Sequence, residues 1–226
     1  PGDHVLVLDN GMWGGRLDEI ARGHGLKVTR LEKPWGQPFR AEDVREAAAN
    51  HEDLKALLVV HGETSTGLAN PVQEISAAAK EFDLLVMVDT IASLGGEPYK
   101  MDEWDIDVTT CAAQKGLEAP PGLGIIGLNA RAWAAADSRT GPAGWMTDLK
   151  VWRHTIETMG SYHPHPGTMP VNTVNALRAS TSLILEEGLE ARWERHARIS
   201  QCVRDGARGM GLEVLATDEH ASRNLT

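Results

Sequence analysis

The chain has 226 residues, 42% of them hydrophobic and 24% charged, which excludes disorder as its main state. No apolar run approaches the roughly 18 residues that cross a bilayer, and a formal net charge of -10 repels a phosphate backbone, so neither a membrane span nor a nucleic-acid partner is expected. Two cysteines, Cys111 and Cys202, cannot build a disulfide framework, which points to a reducing compartment; with no signal-peptide pattern, a cytoplasmic setting is expected.

His4 to Leu8 is a short apolar run that predicts a buried strand. Leu17 to His24 puts Leu17, Ile20 and Ala21 on one helical face, and Gly25 stops it. Leu26 to Leu31 alternates as a strand, Ala41 to Asn50 is helical, and Leu54 to Val60 is a second buried apolar run. Pro71 opens a helix that reaches Phe82, at a position where its missing N–H costs nothing. Leu84 to Asp89, Val108 to Cys111 and Gly124 to Leu128 are further strands, and an Ala-rich helix runs from Ala130 to Ala136. Ser138 to Pro170 is rich in Gly, Pro, Trp and His and reads as an irregular excursion, long enough to serve an interface or a site. A helix from Val171 to about Glu187 follows, Gly188 interrupts, and a second helix runs to about Arg208. Leu189, Trp193, His196, Ile199 and Val203 share one face of it, and Leu212 to Leu215 reads as a last strand. Strand and helix alternate throughout, which predicts an α/β fold with a mostly parallel sheet and helices on both faces.

In such sheets, ligands bind beyond the carboxyl ends of the strands. After the first strand comes Asn10-Gly11-Met12-Trp13-Gly14, and after Val60 comes His61-Gly62-Glu63-Thr64-Ser65-Thr66-Gly67. The Leu84 run ends in Asp89, and after Cys111 comes Ala112-Ala113-Gln114-Lys115-Gly116. Six of the seven lysines lie in polar surroundings, whereas Lys115 lies between small residues and Ala119-Pro120-Pro121-Gly122. A lysine in apolar surroundings loses proton affinity and can act as an imine-forming amine, although a surface lysine in a loop fits the same spacing. Asp89 suits a cationic ring nitrogen or a helix N-cap. Thr64 to Thr66 suit an anion cradle or a tight turn, and Trp13 suits a ring stack or an ordinary core. His61, His163 and His165 have no metal-ligand spacing, and Gly-x-Gly-x-x-Gly after a strand, Walker A and Gly-x-Ser-x-Gly patterns are all missing.

Taken together, Gly11 to Gly14, His61 to Gly67, Val88 to Gly96 and Gln114 to Gly122 resemble the class V aminotransferases that use pyridoxal phosphate, and most closely their alanine–glyoxylate and serine–glyoxylate (serine–pyruvate) branch. The resemblance runs almost end to end and includes Glu186-Glu187-Gly188-Leu189-Glu190. It implies fold type I, a seven-stranded large-domain sheet, and a homodimer whose site is shared across the interface. Lys115 would bond to the cofactor aldehyde and shuttle a proton, and Asp89 would keep the pyridine nitrogen protonated. Trp13 would stack on the ring, Thr64 would contact its hydroxyl side, and Gln114 would help bind the phosphate. Thr168, and with a poorer spacing match Tyr162, would reach the phosphate of the neighbouring subunit.

The same resemblance places the phosphate loop before Pro1 and the substrate-carboxylate arginine after Thr226. Residues 1–187 would then be a partial cofactor-binding large domain and residues 188–226 the beginning of a small C-terminal one, with weak or no activity in the chain alone. The implied reaction is transamination between a small amino acid, of alanine or serine type, and a 2-oxo acid such as glyoxylate or pyruvate. Two readings compete with it. Class V desulfurases carry a histidine before the lysine and a catalytic cysteine on a loop; here Gln114 stands before Lys115, and Cys202 falls on a helix. A cofactor-free scaffold would show no visible band with pyridoxal phosphate.

Overall fold

The computed structural model describes residues 1–141 and 143–226. Among the described residues, eight strands and seven helices follow one another: β1 (His4–Asp9), α1 (Met12–Gly23), β2 (Lys27–Glu32), α2 (Ala41–Ala49), β3 (Leu54–Val60), β4 (Gly62–Glu63), β5 (Leu68–Ala69), α3 (Val72–Lys80), β6 (Leu85–Asp89), β7 (Val108–Ala112), β8 (Gly124–Leu128), α4 (Ala130–Ser138), α5 (Leu149–Met159), α6 (Val171–Glu187) and α7 (Leu189–Gly209). The main sheet has six strands among the described residues, in the order β2-β1-β3-β6-β7-β8, where the resemblance implies seven. All neighbours in it are parallel except β7 and β8. The expected mostly parallel α/β sheet is therefore present.

The pleat explains why its strands read as continuous apolar runs. Leu6 and Leu8 of β1, Leu57 and Val59 of β3, and Val86 and Val88 of β6 point to one face, where they meet Val44 and Ala48 of α2 and Val72, Ile75 and Ala79 of α3. Val5, Val7, Ala56, Leu58, Leu85 and Met87 point to the other, against Leu17 and Ala21 of α1. A third cluster joins Cys111 and Ile125 of the β7–β8 pair to Leu177 and Ile184 of α6. Helices thus cover both faces, and β1, β3, β6 and β7 deliver four successive carboxyl ends to one edge.

Four expectations need correction. The helix expected from Leu17 begins at Met12, so Trp13 lies in its first turn and not in a loop. Glu63, far away in sequence, accepts hydrogen bonds from the otherwise orphaned N–H groups there and makes a glycine-rich stretch helical. The excursion from Ser138 to Pro170 contains α5, whose N-cap Asp148 accepts from the Lys150 N–H; Pro142, within the excursion, lies outside the described residues. Leu212 to Leu215 forms no strand, because no neighbouring strand offers it a ladder, and Leu212 and Leu215 are exposed. On α7 the buried face carries Arg192, Trp193, Ser200 and Arg204, while Leu189, Ile199 and Val203 are exposed. Ion pairs to Glu118, Glu187 and Asp218 draw the two arginines inward.

Candidate active site

Beyond the carboxyl ends of the four successive strands lies a pocket of about 270 Å³. Trp13 follows β1, Thr64 follows β3, Asp89 ends β6, and Gln114 and Lys115 follow β7, and all five line this pocket. Ile91 and Ala92, which follow Asp89, complete an apolar wall that sequence reasoning did not single out. Their signal was available, since they directly follow the strand-ending carboxylate. Among the described residues, Lys115 is the only lysine that lines the pocket.

Lys115 lines the pocket but is exposed, as the reading of a loop lysine at the surface expects, and is not enclosed among apolar groups. Of the neighbours that suggested apolar surroundings, Ala113 and Ala119 are buried beside Leu117, while Pro120 and Pro121 are exposed. The turn itself is closed by hydrogen bonds from Glu118 N to Lys115 O at 2.8 Å and from Ala119 N to Ala113 O at 2.9 Å. Gln114 is exposed beside it.

No helix follows Asp89 directly, so it is not the helix N-cap that one reading expected; its carboxylate closes a turn instead. Its Oδ1 accepts the Ile91 N–H at 2.8 Å, which fixes the turn after β6, while the carboxylate also lines the pocket. Burial, together with the negative charge of Glu63, raises its pKa above the usual carboxylate range, against the opposing pull of the Ile91 N–H.

The Thr64-Ser65-Thr66 stretch resolves into a tight turn between β4 and β5, in which only Thr64 lines the pocket. Ser65 Oγ donates to Glu63 Oε1 at 2.6 Å, and Thr66 Oγ1 donates to the Glu63 carbonyl at 3.3 Å. Glu63 Oε2 in turn accepts from Trp13 N at 3.1 Å and Gly14 N at 3.2 Å. The fully buried Glu63 carboxylate thus occupies the positive end of α1 and ties the Trp13 turn to the Thr64 turn. Sequence reasoning missed it; a carboxylate amid glycines and hydroxyls was the available sign.

Below the floor, His61 is buried, its ring 5.5 Å from that of Tyr99 and its Nδ1 without a hydrogen-bond partner. Burial pushes this imidazole down to about 4. Its folded-state pKa then lies below the unfolded value near 6.5, so the unfolded chain binds more protons between those limits and stability falls as pH falls. Urea titrations at pH 7 and pH 4.5 should show the parent losing about 2 kcal/mol more than His61→Gln. An equal loss in both would show that His61 is not the responsible group.

Tyr162 and Thr168 are exposed on the segment after α5 and do not line this pocket. No described helix is long and apolar enough to cross a membrane.

A family model described as aminotransferase class-V matches residues 1–224. The chain is 37% identical over 223 residues to the alanine–glyoxylate aminotransferase of Mus musculus, covering 96% of this chain and 53% of that protein. It is 35% identical over 221 residues to the L-aspartate–glyoxylate aminotransferase of Paracoccus denitrificans, covering 96% and 54%. The crystal structure of an alanine–glyoxylate aminotransferase from Nostoc sp. superposes with a TM-score of 0.91 at 33% identity, over 99% of this chain and 58% of that one. The chain therefore spans little more than half the length of these relatives.

Proposed function

The chain belongs to the class V aminotransferases, a family of pyridoxal-phosphate-dependent transferases, and we propose that it carries the ring-binding part of a transaminase site for a small amino acid and a small 2-oxo acid. The observation that carries this reading is the convergence of Trp13, Thr64, Asp89, Gln114 and Lys115 on one pocket. Glyoxylate is the acceptor named in each of the three relatives above, which favours it here, with pyruvate as the other candidate.

The donor set suits the cofactor: a primary amine for its aldehyde, a destabilised carboxylate for its ring nitrogen, a flat indole for its face, and hydroxyl and amide donors for its oxygens. When bound, pyridoxal phosphate supplies an electron sink that acidifies the bond between Cα and hydrogen of an attached amino acid. Lys115 holds and moves the proton at the substrate Cα. Asp89 keeps positive charge on the ring nitrogen, and Trp13 fixes the ring plane. Thr64 donates on the hydroxyl side of the ring, and Gln114 contributes to the phosphate. By the family resemblance, Tyr162 and Thr168, which are exposed and do not line their own chain's pocket, would serve the phosphate of a partner subunit in a homodimer.

The test is amino transfer from alanine or serine to glyoxylate by the protein with pyridoxal phosphate. Glycine is expected, together with pyruvate from alanine or hydroxypyruvate from serine. Protein that neither moves an amino group from either donor nor forms a borohydride-reducible adduct with pyridoxal phosphate would overturn the proposal.

A further inference from the structure

We propose that Arg192 of α7 is a positioning residue for the Lys115 amine. This inference rests on the reading of Lys115 as the cofactor-binding lysine. Arg192 is only 2% exposed, although it lies on a helix whose apolar residues partly face solvent. Its guanidinium reaches the two loops that carry Asp89 and Lys115. Nε donates to the Gly95 carbonyl at 2.9 Å, in the loop that follows Asp89. Nη2 donates to the carbonyl of Gly116 at 3.0 Å, the residue directly after Lys115, and to Glu118 Oε1 at 2.7 Å. Nη1 donates to Glu187 Oε2 at 3.1 Å, at the end of α6.

The seam that this fork bridges has no slack. A Cβ at Gly95 would stand 2.6 Å from the Gly116 oxygen, and one at Gly116 would stand 2.4 Å from the Leu94 oxygen. The two loops therefore meet backbone to backbone, and any shift of one displaces the other. Glu118 closes the Lys115 turn with its N–H and holds Arg192 with its carboxylate, from a left-handed φ of 57°. Arg192 thereby fixes the turn from which Lys115 projects, relative to the strand end that holds Asp89. A lysine would carry all its donors on one nitrogen, whereas the planar fork sets Nε and Nη2 apart to meet carbonyls on separate loops.

A purely structural role would change stability without changing Lys115 selectively. The test follows reaction of pyridoxal 5′-phosphate with individual lysines in the chain, well below each variant's melting temperature. The amine adds to the aldehyde, water leaves, borohydride reduces the C=N bond, and mass spectrometry reads the secondary amine on each peptide. Lys27, exposed and distant in sequence, is the internal reference. Arg192→Met should slow capture at Lys115 at least tenfold with Lys27 unchanged, and Arg192→Lys should restore part of the rate. Glu118→Gln is the second variant, because it removes only the charge of an exposed partner and leaves Arg192 in place; it should slow Lys115 severalfold with little change in melting temperature. Equal capture at Lys115 in the parent and in every variant that folds would overturn the inference, including the case in which only Glu118→Gln folds. A parent chain that captures the cofactor at Lys115 no faster than at Lys27 would instead overturn the underlying reading, and this inference with it.

Discussion

Replacing Lys115 by alanine is expected to abolish transamination, lowering turnover by at least about 10³-fold, within the roughly 10²- to 10⁴-fold that a positioned proton-transfer group contributes. The loss is large because Lys115 would serve twice, as the amine that holds the cofactor and as the base that moves the Cα proton. No second lysine lines the pocket among the described residues to take over either task. Lys27, Lys33, Lys80 and Lys100 are committed to Asp53, Asp43, Asp107 and Glu103. Lys150 donates to the Arg139 carbonyl. The same substitution should leave folding nearly untouched, within about 0.5 kcal/mol, because Lys115 is exposed. The measurement is therefore paired: turnover with the visible absorbance of added cofactor, and thermal unfolding of the same sample. A visible band that survives in Lys115→Ala and still yields to borohydride would assign the cofactor to a different lysine.

Much of this pocket was legible in the sequence because each of its parts follows a buried strand. Parallel strands covered on both faces leave their carboxyl ends as the places for polar chemistry, so Trp13, Thr64, Asp89, Gln114 and Lys115 could be gathered without knowing the strand order. The order then makes β1, β3, β6 and β7 neighbours. What stayed hidden depends on residues far apart in sequence. The helical turn at Trp13 rests on Glu63, and no local propensity favours a helix start at Gly11-Met12-Trp13-Gly14. The inward face of α7 also carries Arg192 and Arg204, ion-paired to Glu118, Glu187 and Asp218, so a hydrophobic-stripe rule caught Trp193 but misplaced Leu189, Ile199 and Val203. Helix α5 was obscured by the Gly, Pro and His around it, although Leu149, Trp152 and Ile156 recur at helical spacing behind Asp148. The setting of Lys115 stayed open between an apolar pocket and the surface, because small neighbours in sequence do not say whether they pack around the amine or beneath the turn.

Asp89→Asn separates rate from stability, and the two should move in opposite directions. An opposite charge within contact distance typically shifts a partner's pKa by one to three units. Losing that charge should therefore lower the protonated fraction of a bound pyridine nitrogen by about 10- to 1000-fold, and turnover should fall within the same range. Cofactor binding should fall far less, because Lys115, Trp13 and Thr64 remain. Stability responds differently. Burial and Glu63 hold the Asp89 pKa above its unfolded value, so the folded chain binds the extra proton and stability declines as pH rises through that window. At pH 7 the ionised carboxylate is thus a cost in the cofactor-free chain. Asparagine removes the charge, and its amide oxygen can still accept the Ile91 N–H. The expected result is a higher melting temperature for Asp89→Asn than for the parent at pH 7 without cofactor, a difference that shrinks as the pH is lowered. A variant that turns over at nearly the parental rate with cofactor saturating would remove Asp89 from the chemistry. A variant that melts lower than the parent at pH 7 would mean that the carboxylate serves the fold and not the ring.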